Sequence, residues 1–426
     1  MTIEQVDLTP SQIRSQRRVA RREREDRRKA KFDVKTSPVA SAVASVMKTK
    51  ITFDDLDEYQ LNAYRGIHNW WDTGARKSLI LNGYAGTGKT SLLSIALPAL
   101  CNSEGSMVRV VYCSFTGKAA QVLITKGLEA QTIHSLIYDC VPSDEDDDKF
   151  EFVPKSPNAI PYDLIVVDEA SMVPRDMRND LESLGIPLLF TGDGGQLPSI
   201  DGSGNIMDHA DFTLEEVHRQ AMDSGIIKIA TDVRKGVRVT KGTYGVSRDA
   251  VKVGKSRIED LDFIASHDMI ICYTNATRHA FNESLREYKG FKGRYPKVGE
   301  SLICKRNNKI TGMTNGLILE VLAIRLEDNA LIIDGKDDAD NKYYGLKVYT
   351  NYFDGHPHPE IYGRTTLDIF EFGYALTCHS AQGSQWDSVC VIEEKMGNQP
   401  TIMKRRWMYT AITRSIKRLT WISRHG

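Results

Sequence analysis

The sequence predicts an α/β protein built on two parallel sheets. Three observations predict it. A glycine-rich loop, Gly83-Tyr84-Ala85-Gly86-Thr87-Gly88-Lys89-Thr90, lies between an apolar run and a helix-like stretch. Further on, four apolar residues end in two carboxylates, and strand and helix patterns alternate again through the C-terminal half.

The first strand pattern is Ser78 to Leu81, the loop follows it directly, and Ser91 to Leu100 reads as a helix. That order makes a phosphate cradle. The glycines let backbone N–H groups close around the α- and β-phosphates, Lys89 reaches the β- and γ-phosphates, and Thr90 holds Mg²⁺. A chain of this length meets the pattern by chance on the order of one or two per cent of the time. The sequence therefore predicts a nucleoside triphosphate site.

Val108 to Ser114 is the next strand pattern and Gly117 to Lys126 the next helix. The run Leu164-Ile165-Val166-Val167 then suits a strand buried on both faces, so Asp168 and Glu169 emerge at its carboxyl end, where such sheets place their ligands. Asp168 is assigned to the metal and Glu169 to the attacking water. Leu188 to Thr191 is a further strand, ending in Gly192-Asp193-Gly194-Gly195-Gln196. The second series runs through Met269 to Tyr273, Ala276 to Lys289, Tyr374 to Thr377, Val389 to Ile392, Thr401 to Thr413 and Leu419 to Ser423. It has no phosphate loop of its own, so it is expected to serve the nucleotide of the first half.

With 426 residues and no formal net charge, the chain has room for two or three domains and meets any polyanion through local patches, not a global field. No apolar stretch reaches the roughly 18 residues of a membrane span, and the start of the chain lacks a signal-peptide core. The seven cysteines, Cys101, Cys113, Cys140, Cys272, Cys304, Cys378 and Cys390, form no C-x-x-C, and read as reduced core residues without a zinc site. Residues 1–50 are different. Ten Arg and Lys between Arg14 and Lys31, with almost no large apolar side chain, give a disordered or loosely helical basic arm. It is either a solvated tail or a contact for DNA or a partner.

Further motifs follow one another in a fixed order. Gln60 lies in Leu56-Asp57-Glu58-Tyr59-Gln60, before the phosphate loop. After the loop come Ser114-Phe115-Thr116-Gly117-Lys118, Thr132-Ile133-His134-Ser135, Gln196-Leu197-Pro198 and Val217-His218-Arg219-Gln220. Thr377-Cys378-His379-Ser380-Ala381-Gln382-Gly383 and Tyr409-Thr410-Ala411-Ile412-Thr413-Arg414 complete the set. In order and spacing this resembles the superfamily 1 helicases, most closely their RecD-like branch, from about Thr52 to the end.

The resemblance implies two RecA-like domains, residues 51–225 and 226–426, closing on one ATP with Mg²⁺. It implies that Gln60 reads the adenine, that Gln196 senses the γ-phosphate, and that Arg219 and Arg414 stabilise the charge of phosphoryl transfer. Gly83, Ala85, Gly86, Thr87, Gly88, Lys89, Thr90 and Gly383 are expected around the nucleotide. Phe115, Thr116, Lys118 and His134 of the first domain, with Asn275, His379 and Ser380 of the second, are expected to grip single-stranded DNA. Alternatively, Phe115 is a core residue and His134 a capping or packing one.

Two insertions interrupt this plan. Residues 138–162 carry the acidic run Asp144 to Asp148 and then Phe150-Glu151-Phe152-Val153. The resemblance makes this a small hairpin that splits duplex, with Phe150 stacking against the strand; otherwise Phe150 or Phe152 fastens the loop. Residues 296–368 show short strands at Ser301 to Lys305, Leu317 to Ile324, Ala330 to Asp334 and Leu346 to Thr350, with the turn Met313-Thr314-Asn315-Gly316 between the first two. They read as a small β-barrel, similar to an SH3-like accessory domain.

The expected activity is an ATP-dependent DNA helicase moving 5′ to 3′ on single-stranded DNA, acting in replication, recombination or repair. The alternatives are a translocase that strips bound proteins, a nucleotide-switched binding module, and RNA as the track. Expected partners are single-stranded and forked DNA, with a single-strand-binding protein or replisome components. A monomer in a bacterial or phage-infected cytoplasm, without a membrane, completes the expectation.

Overall fold

The computed structural model describes residues 52–101, 105–142, 150–202, 204–217, 223–308, 310–327, 330–338, 340–350, 353 and 367–424. The basic arm, the acidic run Asp144 to Asp148, and His218, Arg219 and Gln220 lie outside the described residues. The chain divides into Met1–Asp55 and Leu56–Gly426. In the first unit a 3₁₀ turn occupies Phe53–Asp55.

The second unit opens with α1 (Glu58–Thr73), β1 (Ser78–Gly83), α2 (Lys89–Ala96), β2 (Val110–Ser114), α3 (Gly117–Thr125), β3 (Ala130–Thr132) and α4 (Ile133–Ile137). It continues with β4 (Tyr138–Pro142), β5 (Phe150–Pro154), β6 (Leu164–Asp168), α5 (Arg175–Ser183), β7 (Leu188–Gly192) and β8 (Phe212–Leu214). Helix α1 starts where it does because Asp57 accepts the Gln60 N–H at 2.8 Å while Gln60 Oε1 accepts the Asp57 N–H at 3.1 Å. It stops at Gly74, which takes the left-handed conformation.

Six strands form the first sheet in the order β3-β2-β6-β7-β1-β8, all parallel. Leu79, Leu81, Leu164, Val166 and Leu189 face Ala63, Ile67, Leu92 and Leu93 of α1 and α2. On the other face Val111, Ile165, Val167 and Phe190 meet Ile133, Leu136, Met177 and Leu181 of α4 and α5. A sheet covered on both faces needs unbroken apolar runs, which is why β6 reads Leu-Ile-Val-Val. Strands β4 and β5 pair antiparallel as a separate hairpin.

The second sheet is made by α6 (Gly225–Lys235), β9 (Gly242–Tyr244), β10 (Ala250–Val253), α7 (Leu261–Ala265), β11 (Met269–Cys272) and α8 (Asn275–Tyr288), resumed after an interruption. The interruption is β12 (Ser301–Cys304), β13 (Ile318–Glu327), β14 (Ala330–Lys336), β15 (Lys342–Val348) and β16 (Phe370–Phe372). Then follow β17 (Ala375–Thr377), β18 (Trp386–Ile392), α9 (Thr401–Ile412) and β19 (Ser415–Ile422). Its order is β17-β11-β18-β19-β10-β9, parallel except for β9 on β10. Ile271, Val389, Val391 and Leu419 pack on α6 and α9, and Ile270, Cys390 and Ile392 on Phe281 and Leu285 of α8.

The interrupting strands form a third, antiparallel sheet in the order β15-β14-β13-β12-β16, with a core of Leu302, Leu319, Val321, Ile333, Leu346 and Phe370. Its fifth strand, Phe370–Phe372, lies beyond the boundary at 368 read from the sequence; three residues are too short to give a periodic signal. The chain just before β16 returns to the end of β15, where Val348 pairs with Asp368. Arg286 of α8 locks this sheet to the second one, donating to Glu300 at 2.6 Å and 3.0 Å. Of the described cysteines, Cys113, Cys272, Cys304, Cys378 and Cys390 are buried and free, while Cys101 is exposed. No described helix is long and apolar enough to cross a membrane.

Candidate active site

Strand β1 delivers the chain to Gly83, where a side chain does not fit: a Cβ there would lie 2.5 Å from Lys89 Cγ and 2.9 Å from Thr87 Oγ1. Gly86 and Gly88 have φ of 79° and 71°, so the loop turns through a conformation that glycine adopts at no steric cost. Lys89, the first residue of α2, donates to Gly83 O and so curls over the loop. Gln60 is buried as the third residue of α1, and its Nε2 donates to Thr87 O at 3.2 Å. It ties α1 to the phosphate loop.

Strand β6 ends at Asp168, in register with Ser114 of β2. Glu169 follows with φ 52°, a strained conformation for a residue with a side chain. Burial pushes the Asp168 carboxyl up to about 6; the neighbouring Glu169 charge adds to this and Lys89 opposes it. Burial also raises Asp193, which follows β7, and Lys89 again opposes. One lysine charge thus serves two carboxylates.

Buried oxygens gather at the same strand ends: Gln196 Oε1, Ser114 Oγ, Ser171 Oγ and Thr191 Oγ1 have no hydrogen-bond partner. Buried polar groups are rarely left so. Together with the Gly83 cradle, these atoms fit a polar triphosphate and its cation. Asp168 and the exposed Thr90 are the residues that would hold Mg²⁺.

The second sheet reaches this site through α9 and α6. Tyr409 Oη accepts the Ala85 N–H at 2.8 Å and donates to Asp193 Oδ2 at 2.7 Å. Thr410 Oγ1 accepts the Leu197 N–H at 2.9 Å, and Gln382 donates to Leu197 O at 3.1 Å. The Arg234 guanidinium lies 3.4 Å from the centre of the Tyr84 ring. Arg414 is buried beside the end of α9 and donates to Thr410 O, Ser384 O and Thr413 Oγ1 at 3.1, 3.2 and 3.3 Å. Among the described residues no carboxylate forms an ion pair with it, so its charge rests on neutral acceptors.

A separate cleft of about 530 Å³ collects residues from all three sheets. Phe115 and Thr116 come from the turn between β2 and α3 and Lys118 from the first turn of α3, His379 and Ser380 from the turn after β17, and Ile303, Lys305, Asn315 and Gly316 from the third sheet. Five residues expected to grip a strand are thereby brought together. Burial holds the His379 imidazole below its usual value. Thr116 also caps α3, accepting the Ala119 N–H at 3.2 Å.

The remaining expected residues stand elsewhere. His134 is a bridge away from the cleft, its ring 6.2 Å from Phe115 and 5.8 Å from both Tyr138 and Phe152 of the hairpin. Phe152 is 55% exposed. The Phe150 backbone pairs with Pro142, and its side chain lies outside the described residues. Asn275 is exposed at the start of α8 and is not a lining residue of the cleft. Gly383, with φ of +75°, packs on the start of α3, where a Cβ would lie 2.7 Å from Thr116 Oγ1 and 3.3 Å from Ala119 Cβ.

Several participants were not singled out from the sequence. The third sheet meets the first through Lys118 Nζ and Asp338 Oδ2 at 2.9 Å, and a Cβ on Gly117 would lie 2.8 Å from Thr314. The Met313–Gly316 turn was visible as a turn, but nothing local says where it lands. Tyr409 stood in a motif with no role attached.

Comparison with known proteins agrees with this arrangement. A family described as an AAA domain matches residues 56–256, and one described as a UvrD-like helicase C-terminal domain matches residues 372–422. The ATP-dependent RecD2 DNA helicase of Deinococcus radiodurans is 27% identical over 361 residues, covering 79% of this chain and 46% of that protein. The ATP-dependent DNA helicase dda of phage T4 is 31% identical over 199 residues, 44% of each chain. This chain therefore spans less than half the length of either relative it matches. Among solved structures, Pif1 helicase in a study of unwinding at forked DNA superposes with a TM-score of 0.54 at 18% identity, covering 86% of this chain and 92% of the other. A Bacteroides Pif1 helicase with ADP-AlF3 and single-stranded DNA gives 0.51 at 17%, covering 84% and 92%. These two likenesses show the fold. In its motifs, its two matched regions and its parallel-sheet core, the chain resembles the superfamily 1 helicases of the RecD-like branch, the phage helicase Dda among them.

Proposed function

We propose that the chain is an ATP-dependent DNA helicase that moves 5′ to 3′ along single-stranded DNA and opens duplex ahead of it. The observation that carries this reading is a phosphate-loop site touched by both parallel sheets, beside a cleft whose walls both sheets share. A change at the first is then mechanically felt at the second. Both RecD2 and dda are named ATP-dependent DNA helicases, which favours DNA and ATP.

Bound Mg²⁺-ATP supplies the phosphoanhydride and a cation that draws charge off its oxygens. The loop from Gly83 to Thr90 and Lys89 hold the phosphates, Gln60 the adenine, and Asp168 and Thr90 the metal. Glu169 orients and deprotonates the attacking water, with Gln196 Oε1 as a second acceptor facing the γ-phosphate. Arg414 and Arg219 stabilise the charge of the transferring group. Phe115, His379 and Ser380 hold bases and backbone, Lys118 a phosphate, and Asn275 and His134 flank the path. The hairpin, with Phe150, acts as the separating pin, and the third sheet is an SH3-like accessory barrel. The chain works as a monomer in a bacterial or phage-infected cytoplasm, on forked DNA and with single-strand-binding or replisome proteins, in replication, recombination or repair.

The test is ATP-driven unwinding of a short duplex bearing either a 5′ or a 3′ single-stranded tail, with Lys89→Ala as the blank. Opening of the 5′-tailed duplex alone is expected. Lys89→Ala should abolish hydrolysis and leave strand binding largely intact; persisting turnover would mean that the phosphate loop is misassigned.

A further inference from the structure

We propose that Tyr409 is a positioning residue for hydrolysis, its hydroxyl holding the phosphate loop and Asp193 in one register set by α9. The inference rests on the ATP-hydrolysing reading above and adds a part to that site.

The hydroxyl spends its donor and an acceptor lone pair on two different walls of the site. It accepts the Ala85 N–H of the phosphate loop at 2.8 Å and donates to Asp193 at 2.7 Å. The other Asp193 oxygen accepts the Gly195 N–H at 2.9 Å, which fixes the carboxylate in its own loop. The ring seats tightly. A Cβ on Gly195 would lie 2.8 Å from Tyr409 Cε1, so glycine is required for the ring to come this close.

The neighbouring contacts extend the same hold. Thr410 and Gln382 take both backbone groups of Leu197, and Leu197 directly follows Gln196, whose Oε1 has no partner. The segment from Asp193 to Leu197 is therefore pinned at both ends by the second sheet, with Gln196, which the proposed function sets toward the γ-phosphate, between the pins. Arg414 lies five residues beyond Tyr409, beside the end of the same helix. A displacement of α9 accordingly moves the Ala85 amide, Asp193, Gln196 and Arg414 together. Tyr409 makes that movement reach the loop that holds the phosphates, which a ring packed in the core would not.

The deciding experiment is steady-state ATP hydrolysis with and without an oligodeoxythymidine strand, for the full chain, Tyr409→Phe, Gly195→Ala and the double variant. Tyr409→Phe keeps the ring and removes both hydrogen bonds. Its kcat should fall roughly tenfold while KM for ATP stays within about twofold, since the lost contacts bear on the transition-state arrangement more than on ground-state binding. Its thermal midpoint should drop by only a few degrees, about what lost hydrogen bonds cost a domain of this size. Gly195→Ala displaces the ring without touching the hydroxyl, and should reproduce the split. The double variant should be no worse than the poorer single, because both act through one contact. Unchanged kcat in both singles would overturn the inference alone, as would a KM rise matching the kcat loss or fully additive defects. No turnover by the unmodified chain would instead remove the hydrolysis reading, and this inference with it.

Discussion

Asp168 sits in a site that resists its own charge. Burial and the adjacent Glu169 raise its carboxyl to about 6, against an ordinary 3.8. In that interval the folded chain binds a proton that the unfolded chain has lost, so stability falls as pH rises from about 4 to about 6, and the cost is complete above it. Asp168→Asn should therefore raise the melting temperature of the nucleotide-free protein at pH 8 and not at pH 4, while removing hydrolysis. Melting curves at the two pH values check this, and an equal shift at both would show that the carboxylate is not the strained group. The residues most legible in the sequence are those whose chemistry fixes their spacing. Phosphate geometry dictates Gly83 through Thr90, and a strand-end pair of carboxylates follows a buried run. The close approach of Gly383 to Thr116 joins residues far apart in the chain, and no local pattern encodes it.

Among the elements, the hairpin β4–β5 joins the body of the protein through an aromatic row, Phe115, His134, Tyr138 and Phe152. The resemblance puts Phe150 against the strand, with Phe150 or Phe152 fastening the loop as the alternative. Among the described side chains Phe152 stands in this row, edge-on to His134 and Tyr138, and it is exposed. Under the proposed function Phe152→Ala should lower unwinding of a tailed duplex more than strand-stimulated ATP hydrolysis, and Phe150→Ala should do the same if its ring stacks on the strand. Equal losses of both activities in either variant would show a packing role for that ring. The joint between α8 and β12 yields a stability prediction. Glu300 is fully buried and takes two hydrogen bonds from Arg286, so Arg286→Ala leaves a buried carboxylate without its cation, held only by the Lys297 N–H and the Tyr374 hydroxyl, and should cost about 3 to 5 kcal/mol, measurable by denaturant unfolding. Both parallel sheets were legible as apolar runs because they are covered on both faces. Short pieces such as β16 were not, since pairing with a distant strand and not their own pattern makes them strands.

At the level of the whole molecule, the sequence showed that one phosphate loop serves two sheets, and the structure adds how they touch. What it could not show is the landing of the third sheet on the first, because Asp338 and Lys118 are far apart in the chain and each alone is an ordinary surface charge. This contact bears on the topology of what the cleft holds. Under the proposed function, the third sheet, resting on the start of α3, would enclose a strand held in the cleft instead of leaving it on an open surface. A linear strand has an end to thread, whereas a closed circle has none and enters only while the Lys118–Asp338 and Gly117–Thr314 contacts part. Asp338→Asn should quicken capture of circular single-stranded DNA by roughly two- to fivefold, the scale of one exposed ion pair, and change capture of linear strands less. Stopped-flow binding to the two forms of one sequence reads this directly, and equal acceleration of both would mean that the strand enters by an open side. A strand so enclosed would leave only by its own end or by the parting of the same contacts, so the ion pair that slows entry onto a circle should also lengthen the time the protein stays on one.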